Sequence, residues 1–156
     1  NPVKGFFRLV PGGEVRLRHA FIIKCERIEK DATGAVTTIY ATYDPATKSG
    51  TGGRNVKGAI HWVSKLDGIQ AEVRLYDRLF NVENPDAGEG DYKDYLNPHS
   101  LKVVRAWLEP SLANAAINES YQFERNGYFT PDRKLSKPGA LVFNRAVTLK
   151  DGWKPA

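Results

Sequence analysis

The residues best suited to binding chemistry lie in the segment Tyr-Gln-Phe-Glu-Arg-Asn-Gly-Tyr-Phe at positions 121–129. If this segment is one β-strand, alternation places Gln122 and Arg125 on opposite faces, and Gly127 then breaks the pattern as a bulge or turn would. An amide and a guanidinium among aromatic rings could bind the edges and faces of unpaired nucleotides. The same pattern is typical of an ordinary strand in a barrel wall. Taken alone, the segment favours the ordinary strand.

The remaining motifs do not indicate catalysis. The segment Lys-Leu-Ser-Lys-Pro at 134–138 resembles the lysine-rich loop that neutralises ATP phosphates in class I aminoacyl-tRNA synthetases, but no nucleotide-binding α/β fold precedes it. We therefore expect a basic surface loop there. The three histidines are far apart and lack metal-type spacing, and no nucleophile–base or paired-carboxylate arrangement is suggested by position. We predict no catalytic residue, no bound cofactor and no metal site in this chain.

The charge distribution favours a polyanionic partner. The chain of 156 residues carries a formal net charge of +5. Residues 1–30 contain seven Lys/Arg against three Glu, and residues 121–156 contain seven against three Asp/Glu. Residues 81–100 contain one Lys against five acidic residues. If the two ends of the chain meet, they form one basic surface of the kind that binds nucleic acid. A solvated basic surface without a partner is the alternative.

Composition also bears on location and origin. Cys25 is the single cysteine, which excludes an intramolecular disulfide and fits a reducing cytosol. No apolar run is long enough to cross a membrane, and the first residues do not resemble a signal peptide. The chain contains no methionine, so we expect it to be a piece excised from a longer protein. We predict a cytoplasmic location.

The periodicity of apolar residues predicts an all-β protein. A hairpin turn is expected at 31–34, where Asp-Ala-Thr-Gly separates two such runs, and one helical turn is expected within 110–118. Turn-separated strands with almost no helix indicate one antiparallel β-barrel or a pair of barrels. The predicted strands are residues 14–28, 36–43, 56–64, 69–80, 101–108, 121–129 and 140–149.

Several segments together carry a specific family resemblance. They are, in chain order, Glu-Val-Arg-Leu-Arg at 14–18, Ile-Ile-Lys-Cys-Glu at 22–26, Thr-Ile-Tyr-Ala-Thr-Tyr-Asp at 38–44, Val-Lys-Gly-Ala-Ile-His-Trp-Val-Ser at 56–64, Glu-Val-Arg-Leu-Tyr-Asp-Arg-Leu-Phe at 72–80, Glu-Pro-Ser-Leu at 109–112, the 121–129 segment and Val-Phe-Asn-Arg at 142–145. This order resembles the C-terminal anticodon-binding β-barrels of bacterial glutaminyl-tRNA synthetases over essentially the whole chain. The resemblance implies a ribosomal-protein-like distal barrel at roughly 14–110. A partial proximal barrel would be shared by residues 1–13 and 119–156.

The resemblance also implies an anticodon-binding role for four residues. Arg8 and Arg16 match the arginines that recognise the third and first anticodon letters. Gln122 matches the glutamine at the middle letter, and Arg125 the nearby arginine of the same motif. At 5–7, just ahead of Arg8, this chain has Gly-Phe-Phe where the family carries further polar contacts. The aromatic residues of the motif, Tyr121, Phe123, Tyr128 and Phe129, are expected mostly to pack.

The chemistry of these side chains suits the implied roles. An arginine fork satisfies guanine O6 and N7, or cytosine O2 and N3, with two hydrogen bonds, and a glutamine amide can both donate to and accept from uracil. A correct pairing of this kind discriminates against a wrong base by about 1–3 kcal/mol. The residues alone equally allow surface ion pairs of Arg16 with Glu14 and of Arg125 with Glu124, each contributing about 0–1 kcal/mol.

The function implied is recognition of the tRNA(Gln) anticodon loop within a monomeric glutamine–tRNA ligase. That enzyme would use ATP with Mg²⁺ in a catalytic domain absent from this chain, so the 156-residue chain alone is predicted to be inactive. No membrane partner is expected. Alternatives are the equivalent domain of an archaeal or eukaryotic-type glutamyl-tRNA synthetase, and a non-enzymatic ribosomal RNA-binding β-barrel protein. A barrel used only for protein–protein contact is a third class.

Overall fold

A computed structural model describes residues 8–51 and 53–149. Within them, 3₁₀ turns at Pro45–Thr47, Pro85–Ala87, Tyr92–Tyr95 and Pro110–Asn114 are the only helical elements. The last of these confirms the helical turn expected within 110–118. The strands in these ranges are β1 (Glu14–Leu17), β2 (Ile22–Lys30), β3 (Val36–Asp44), β4 (Ala59–Ile60), β5 (Ile69–Tyr76), β6 (Leu101–Leu108), β7 (Tyr121–Phe123), β8 (Gly127–Pro131) and β9 (Val142–Val147).

The strands form two sheets, one in each of two compact units that divide between Trp62 and Val63. The first unit holds a four-stranded sheet in the order β3-β2-β1-β4. The second holds a five-stranded sheet in the order β6-β5-β9-β8-β7. The prediction of an all-β chain is therefore confirmed.

Both sheets are mixed, so the prediction of purely antiparallel strands is wrong. β1 pairs with β4 in parallel, and β5 pairs with β9 in parallel, while the other neighbours are antiparallel. Each parallel pair joins strands that are distant in the chain. Alternation of apolar residues shows which face of a strand is buried but not the direction of its partner. No closed barrel is found among the described residues.

The predicted long strand at 14–28 is interrupted by a turn. The Ala20 amide donates to the Leu17 carbonyl at 2.9 Å, and His19 takes a left-handed conformation with φ 61°. The chain thereby folds back, and β1 pairs antiparallel with β2. No Gly or Pro marks this turn, and the apolar alternation continues through it, so periodicity could not reveal it.

The hairpin between β2 and β3 confirms the turn expected at 31–34. The Asp31 carboxylate accepts from the Thr33 amide at 2.8 Å and from the Ala35 amide at 3.1 Å. Gly34 supplies the positive φ of 84° that closes the turn. These hydrogen bonds hold the pKa of the Asp31 carboxyl below its usual value, with that from the Thr33 hydroxyl contributing most.

Each unit has its own apolar core. In the first unit the buried side chains are Val15, Ile22 and Cys25, which make β1 and β2 the centre of the sheet. The core cluster of the second unit consists of Ala71, Val73, Leu108, Phe129 and Phe143, and Val142 is buried as well. Among the described residues, no helix has the length and apolar character needed to span a membrane.

The lysine-rich segment at 134–138 lies in a turn built around Asp132. The Asp132 carboxylate accepts from the amides of Lys134 and Leu135, both at 2.9 Å, and from Asn144 Nδ2 at 2.8 Å. Both lysines of the segment are exposed, which confirms the expected basic surface loop. The Asn144 hydrogen bond first, and the two amides next, hold the pKa of the Asp132 carboxyl below its usual value of 3.8.

This pKa shift predicts a pH-dependent contribution to stability. Because the pKa of Asp132 is lowered by folding, its contribution is present above the unfolded-state pKa and is lost as pH falls through the folded-state pKa. We expect Asp132→Asn to lower the free energy of unfolding at pH 7, and the difference from the parent chain to shrink as the pH falls towards about 2 and the Asp132 carboxyl becomes protonated. Urea unfolding at both pH values measures this. An equal difference at both would show that the carboxylate charge does not stabilise the turn.

Candidate nucleic-acid interface

The 121–129 segment is a hairpin rather than the predicted single strand. β7 and β8 pair antiparallel around a turn at 124–126. The Asn126 amide donates to the Phe123 carbonyl at 2.8 Å, and Asn126 Nδ2 donates to the Glu124 carbonyl at 3.0 Å. The Asn126 side chain thus occupies a backbone carbonyl that a continuing strand would use for ladder pairing, and β7 ends before it, as is common at turns.

Aromatic packing fixes which side of β7 faces the core. The Phe123 ring stacks on Phe129 with centroids 4.2 Å apart and lies 5.3 Å from the Phe143 ring. The Tyr121 ring meets Phe143 edge-on at 6.2 Å. Because alternate residues point to opposite faces, Gln122 lies on the other face, where it is exposed. Its amide has no hydrogen-bond partner within residues 8–51 and 53–149.

Arg125 lies at the tip of this hairpin. It is exposed and has φ 65°, a left-handed conformation that favours Gly or Asn over long side chains. Alternation within one strand would have separated Arg125 from Gln122. The turn removes that conflict, because Arg125 belongs to neither strand.

Gly127 is required where the hairpin meets β9. Its φ is 143°, and a Cβ at this position would lie 2.5 Å from the Val147 carbonyl oxygen. No side chain fits between two backbones at that distance. The glycine seen in the sequence therefore marks a close approach of strands directly after the turn.

Arg16 holds a loop in the first unit. Its Nη1 donates to the Thr47 carbonyl at 2.7 Å and to the Ala20 carbonyl at 3.3 Å, and its Nη2 donates to the Arg54 carbonyl at 3.3 Å. Thr47 is itself buried, and its hydroxyl accepts from the Ile22 amide at 2.9 Å. Arg16 thus ties the β1–β2 turn to the loop that follows β3.

The ion pair of Glu14 is made with Arg54, not with Arg16. Arg54 Nη1 and Nη2 donate to the two Glu14 carboxylate oxygens at 2.6 and 2.8 Å. This hydrogen bonding lowers the pKa of Glu14 and raises that of Arg54. The alternative of a surface ion pair between Arg16 and Glu14 is therefore wrong, because the Arg16 guanidinium donates to backbone carbonyls instead.

The four residues with an implied anticodon role divide between the two units. Arg8 and Arg16 belong to the first unit, where Arg8 is exposed and precedes β1. Gln122 and Arg125 lie together on one hairpin of the second unit. The Gly-Phe-Phe segment at 5–7 lies outside the described residues. Among the described residues, no group of three or more His, Cys, Asp or Glu could hold a metal ion.

One exposed aromatic residue was missed by the sequence interpretation. Tyr121, Phe123 and Phe129 pack in the core as expected, but Tyr128 remains 41% exposed. Tyr128 pairs directly with Gln122 across the hairpin, so the two side chains share one face. Treating 121–129 as one strand concealed this, because the position of the turn decides which residues become partners.

Comparison with known proteins identifies the family. Residues 4–44 and 59–132 each match a family described as "tRNA synthetases class I (E and Q), anti-codon binding domain". The chain belongs to this anticodon-binding family. The resemblance drawn from the motifs is thereby confirmed.

Curated relatives extend the similarity over nearly the whole chain. The chain is 56% identical over 156 residues to a protein of Cupriavidus metallidurans named Glutamine--tRNA ligase, covering 98% of this chain and 27% of that protein. It is 57% identical over 152 residues to one of the same name from Yersinia pestis, covering 96% of this chain and 27% of the relative. A Ralstonia pickettii protein of that name is 54% identical, covering 98% and 27% respectively. The chain spans about a quarter of the length of these relatives.

The contact at Gly127 predicts a large effect of one methyl group. Gly127→Ala should lower the free energy of unfolding by at least about 2 kcal/mol, because both the backbone conformation and the Val147 carbonyl oppose a Cβ. Gly139→Ala is the matched control, because Gly139 also has a positive φ of 75° but nothing lies within 4 Å of its added Cβ. Its free energy of unfolding should fall by only about 1 kcal/mol. Thermal and urea unfolding measure both. Equal losses would contradict the close approach.

The carbonyl contacts of Arg16 predict that lysine cannot replace it. Arg16→Lys should lower the free energy of unfolding by about 1–2 kcal/mol, because one ammonium group does not reproduce a planar fork that binds three carbonyls. Arg105→Lys, at an exposed position of β6, should change it by less than about 0.5 kcal/mol. Urea unfolding of both variants is the measurement. Unchanged stability of Arg16→Lys would mean that these contacts do not stabilise the loop.

Proposed function

We propose that this chain recognises the anticodon loop of tRNA(Gln) as part of a glutamine–tRNA ligase. The observation that carries the proposal is the β7–β8 hairpin. There the packed rings of Tyr121 and Phe123 leave the Gln122 amide exposed on the opposite face, with Arg125 at the adjoining tip. The names of the curated relatives favour glutamine over the glutamyl alternative and over a ribosomal protein.

The Gln122 amide suits an unpaired uracil at the middle anticodon letter. Uracil presents one N–H donor between two carbonyl acceptors, and an amide offers one acceptor and two donor hydrogens on a single plane. Anticodon bases are single-stranded, so their Watson–Crick edges are accessible to side chains. Arg125 at the exposed tip supplies positive charge beside the same nucleotide.

Arg16 retains donors for the first anticodon letter. A guanidinium has five N–H groups, and the described contacts of Arg16 use three of them. Two donors remain, enough for the O2 and N3 acceptors of one cytosine. Arg8 is proposed to recognise the third letter, where guanine offers O6 and N7.

The remaining features of the proposed parent follow from the family. The parent would attach glutamine to tRNA(Gln) using ATP and Mg²⁺, in a domain that is not part of this sequence, and would act as a cytoplasmic monomer. A ribosomal-protein-like barrel at 14–110 and a partial barrel from 1–13 and 119–156 remain part of this proposal. The chain by itself would bind RNA without catalysing the reaction.

The test is base-specific binding at the middle letter. The full 156-residue chain should bind a tRNA(Gln) anticodon stem-loop more tightly than a stem-loop with cytosine at the middle position. Gln122→Ala should reduce this preference by about 1–3 kcal/mol without changing the melting temperature, because the side chain is exposed. Fluorescence anisotropy titration measures the affinities. Binding should also weaken as salt rises, since phosphate contacts release counterions.

Gln70→Ala is the matched control, because Gln70 is an exposed glutamine on β5 of the same unit. It should leave the base preference intact. Equal affinity of the parent chain for both stem-loops would reduce the function to nonspecific binding of RNA by a basic protein. A lowered melting temperature of Gln122→Ala with unchanged base preference would make Gln122 structural.

A further inference from the structure

Three side chains form a row across the exposed face of the second sheet. Gln122 on β7 pairs directly with Tyr128 on β8, and Tyr128 is aligned with Val147 on β9 at a register shift that leaves Ala146 without a partner in the β8–β9 ladder. In a regular antiparallel ladder, as between Gln122 and Tyr128, directly opposite residues project to the same face with Cβ atoms about 5 Å apart. Val147, at the register shift, is exposed beside them. An amide, an aromatic ring and an aliphatic side chain therefore lie side by side in this order.

This row is accessible, although two of its members are apolar. Tyr128 is 41% exposed and Val147 is 55% exposed, and Gln122 is exposed beside them. Within the described residues, the Tyr128 side chain makes no hydrogen bond and no ring contact. The neighbouring Phe129, which points to the other face, is 1% exposed in the core. The backbone under Tyr128 is thus fixed while its ring faces outward.

The residues around this row favour binding of an anionic ligand that has planar rings. Val147 also lines a cavity of about 440 Å³ whose wall includes Arg78 and Arg145 against the single carboxylate of Asp77. Arg145 is held in place there, since its Nη2 donates to the Tyr76 carbonyl at 2.8 Å. Arg125 lies in the hairpin turn, two residues before Gly127, which closely approaches the Val147 carbonyl. An aromatic ring beside a hydrogen-bonding amide, with arginines nearby, combines what a nucleotide requires: stacking, edge recognition and phosphate neutralisation.

We propose that the Tyr128 ring is the stacking platform for the anticodon base whose edge Gln122 recognises. This inference rests on the proposed function and adds a residue that determines affinity at the same site. Stacking on Tyr128 would hold the base flat against the sheet, and the neighbouring strand would bring the Gln122 amide to its edge. RNA-binding sheets use exposed aromatic side chains in this way.

A protein surface is the competing occupant of this row. It would cover the apolar Tyr128 and Val147, but it would also bury the Gln122 amide, which then needs a polar partner. The positive side chains lining the adjoining cavity favour RNA. The two occupants differ in one respect that can be measured: only RNA binding depends on the base opposite Gln122.

The test is a double-mutant cycle between Tyr128 and the base itself. Two anticodon stem-loops are titrated against the full chain, one with uridine at the middle position and one with an abasic residue there. Tyr128→Leu should weaken binding of the uridine stem-loop at least about fivefold, which is the lower end of the range for losing one base–aromatic stack. Binding of the abasic stem-loop should be unaffected, because it has no base to stack. Tyr128→Phe should bind both as the parent chain does, because the ring is retained.

The matched control is Tyr92→Leu, which removes a tyrosine that is 48% exposed in the acidic 81–100 loop of the same unit. It should change neither affinity. Equal weakening of both stem-loops by Tyr128→Leu, or no weakening of either, would overturn the stacking role. If the parent chain itself fails to distinguish the uridine stem-loop from one with cytosine, the proposed function fails as well. If the parent chain distinguishes them but Tyr128→Leu binds the uridine stem-loop as tightly as the parent does, only the stacking inference fails.

Discussion

The contact on which the β7–β8 hairpin depends is the packing of three phenylalanine rings in the second unit. Phe123 stacks on Phe129 across the hairpin and also contacts Phe143 on β9. Each ring comes from a different strand, so the cluster fixes the pairing of β7, β8 and β9 together. It also fixes which residues point outward, because a shift by one position would expose the rings and bury the amide. The face that presents Gln122 is therefore a consequence of core packing.

In the first unit, the same side chain serves both structure and the proposed recognition. Arg16 donates to the carbonyls of residues 20, 47 and 54 and thereby joins the β1–β2 turn to the loop that follows β3. Glu14 is neutralised by Arg54 and so does not draw the guanidinium of Arg16 away from these carbonyls. An arginine held in this way has lost most of its rotamer freedom before any RNA arrives. Its remaining donors are directed by the fold.

Alternation of apolar residues predicted the strands well where turn residues mark their ends. The strand predicted at 101–108 matches β6, and the Asp31–Gly34 turn was marked by its own side-chain chemistry. The turns at 18–20 and 124–126 were missed because their left-handed residues are His19 and Arg125 rather than the glycine that usually marks such a position. Parallel pairing was missed because no local pattern encodes the direction of a distant strand. The motif residues were identified by family resemblance, but Tyr128 became visible only once the hairpin defined its partner.

Preorganisation of a side chain decides how much of the free energy of a correct base contact remains as discrimination between bases. Ordering a flexible side chain costs about 0.5–1.5 kcal/mol on binding, which is comparable to the 1–3 kcal/mol that one good pairing contributes. Both sequence neighbours of Gln122 are packed against Phe143 or Phe129, so its backbone is already fixed and only its own rotamers remain to be ordered. Arg125 is held by a closed turn in a conformation costing about 1–2 kcal/mol, which the packed strands on either side must offset. The stability of the aromatic core thus limits the precision of the base discrimination that we propose for this hairpin.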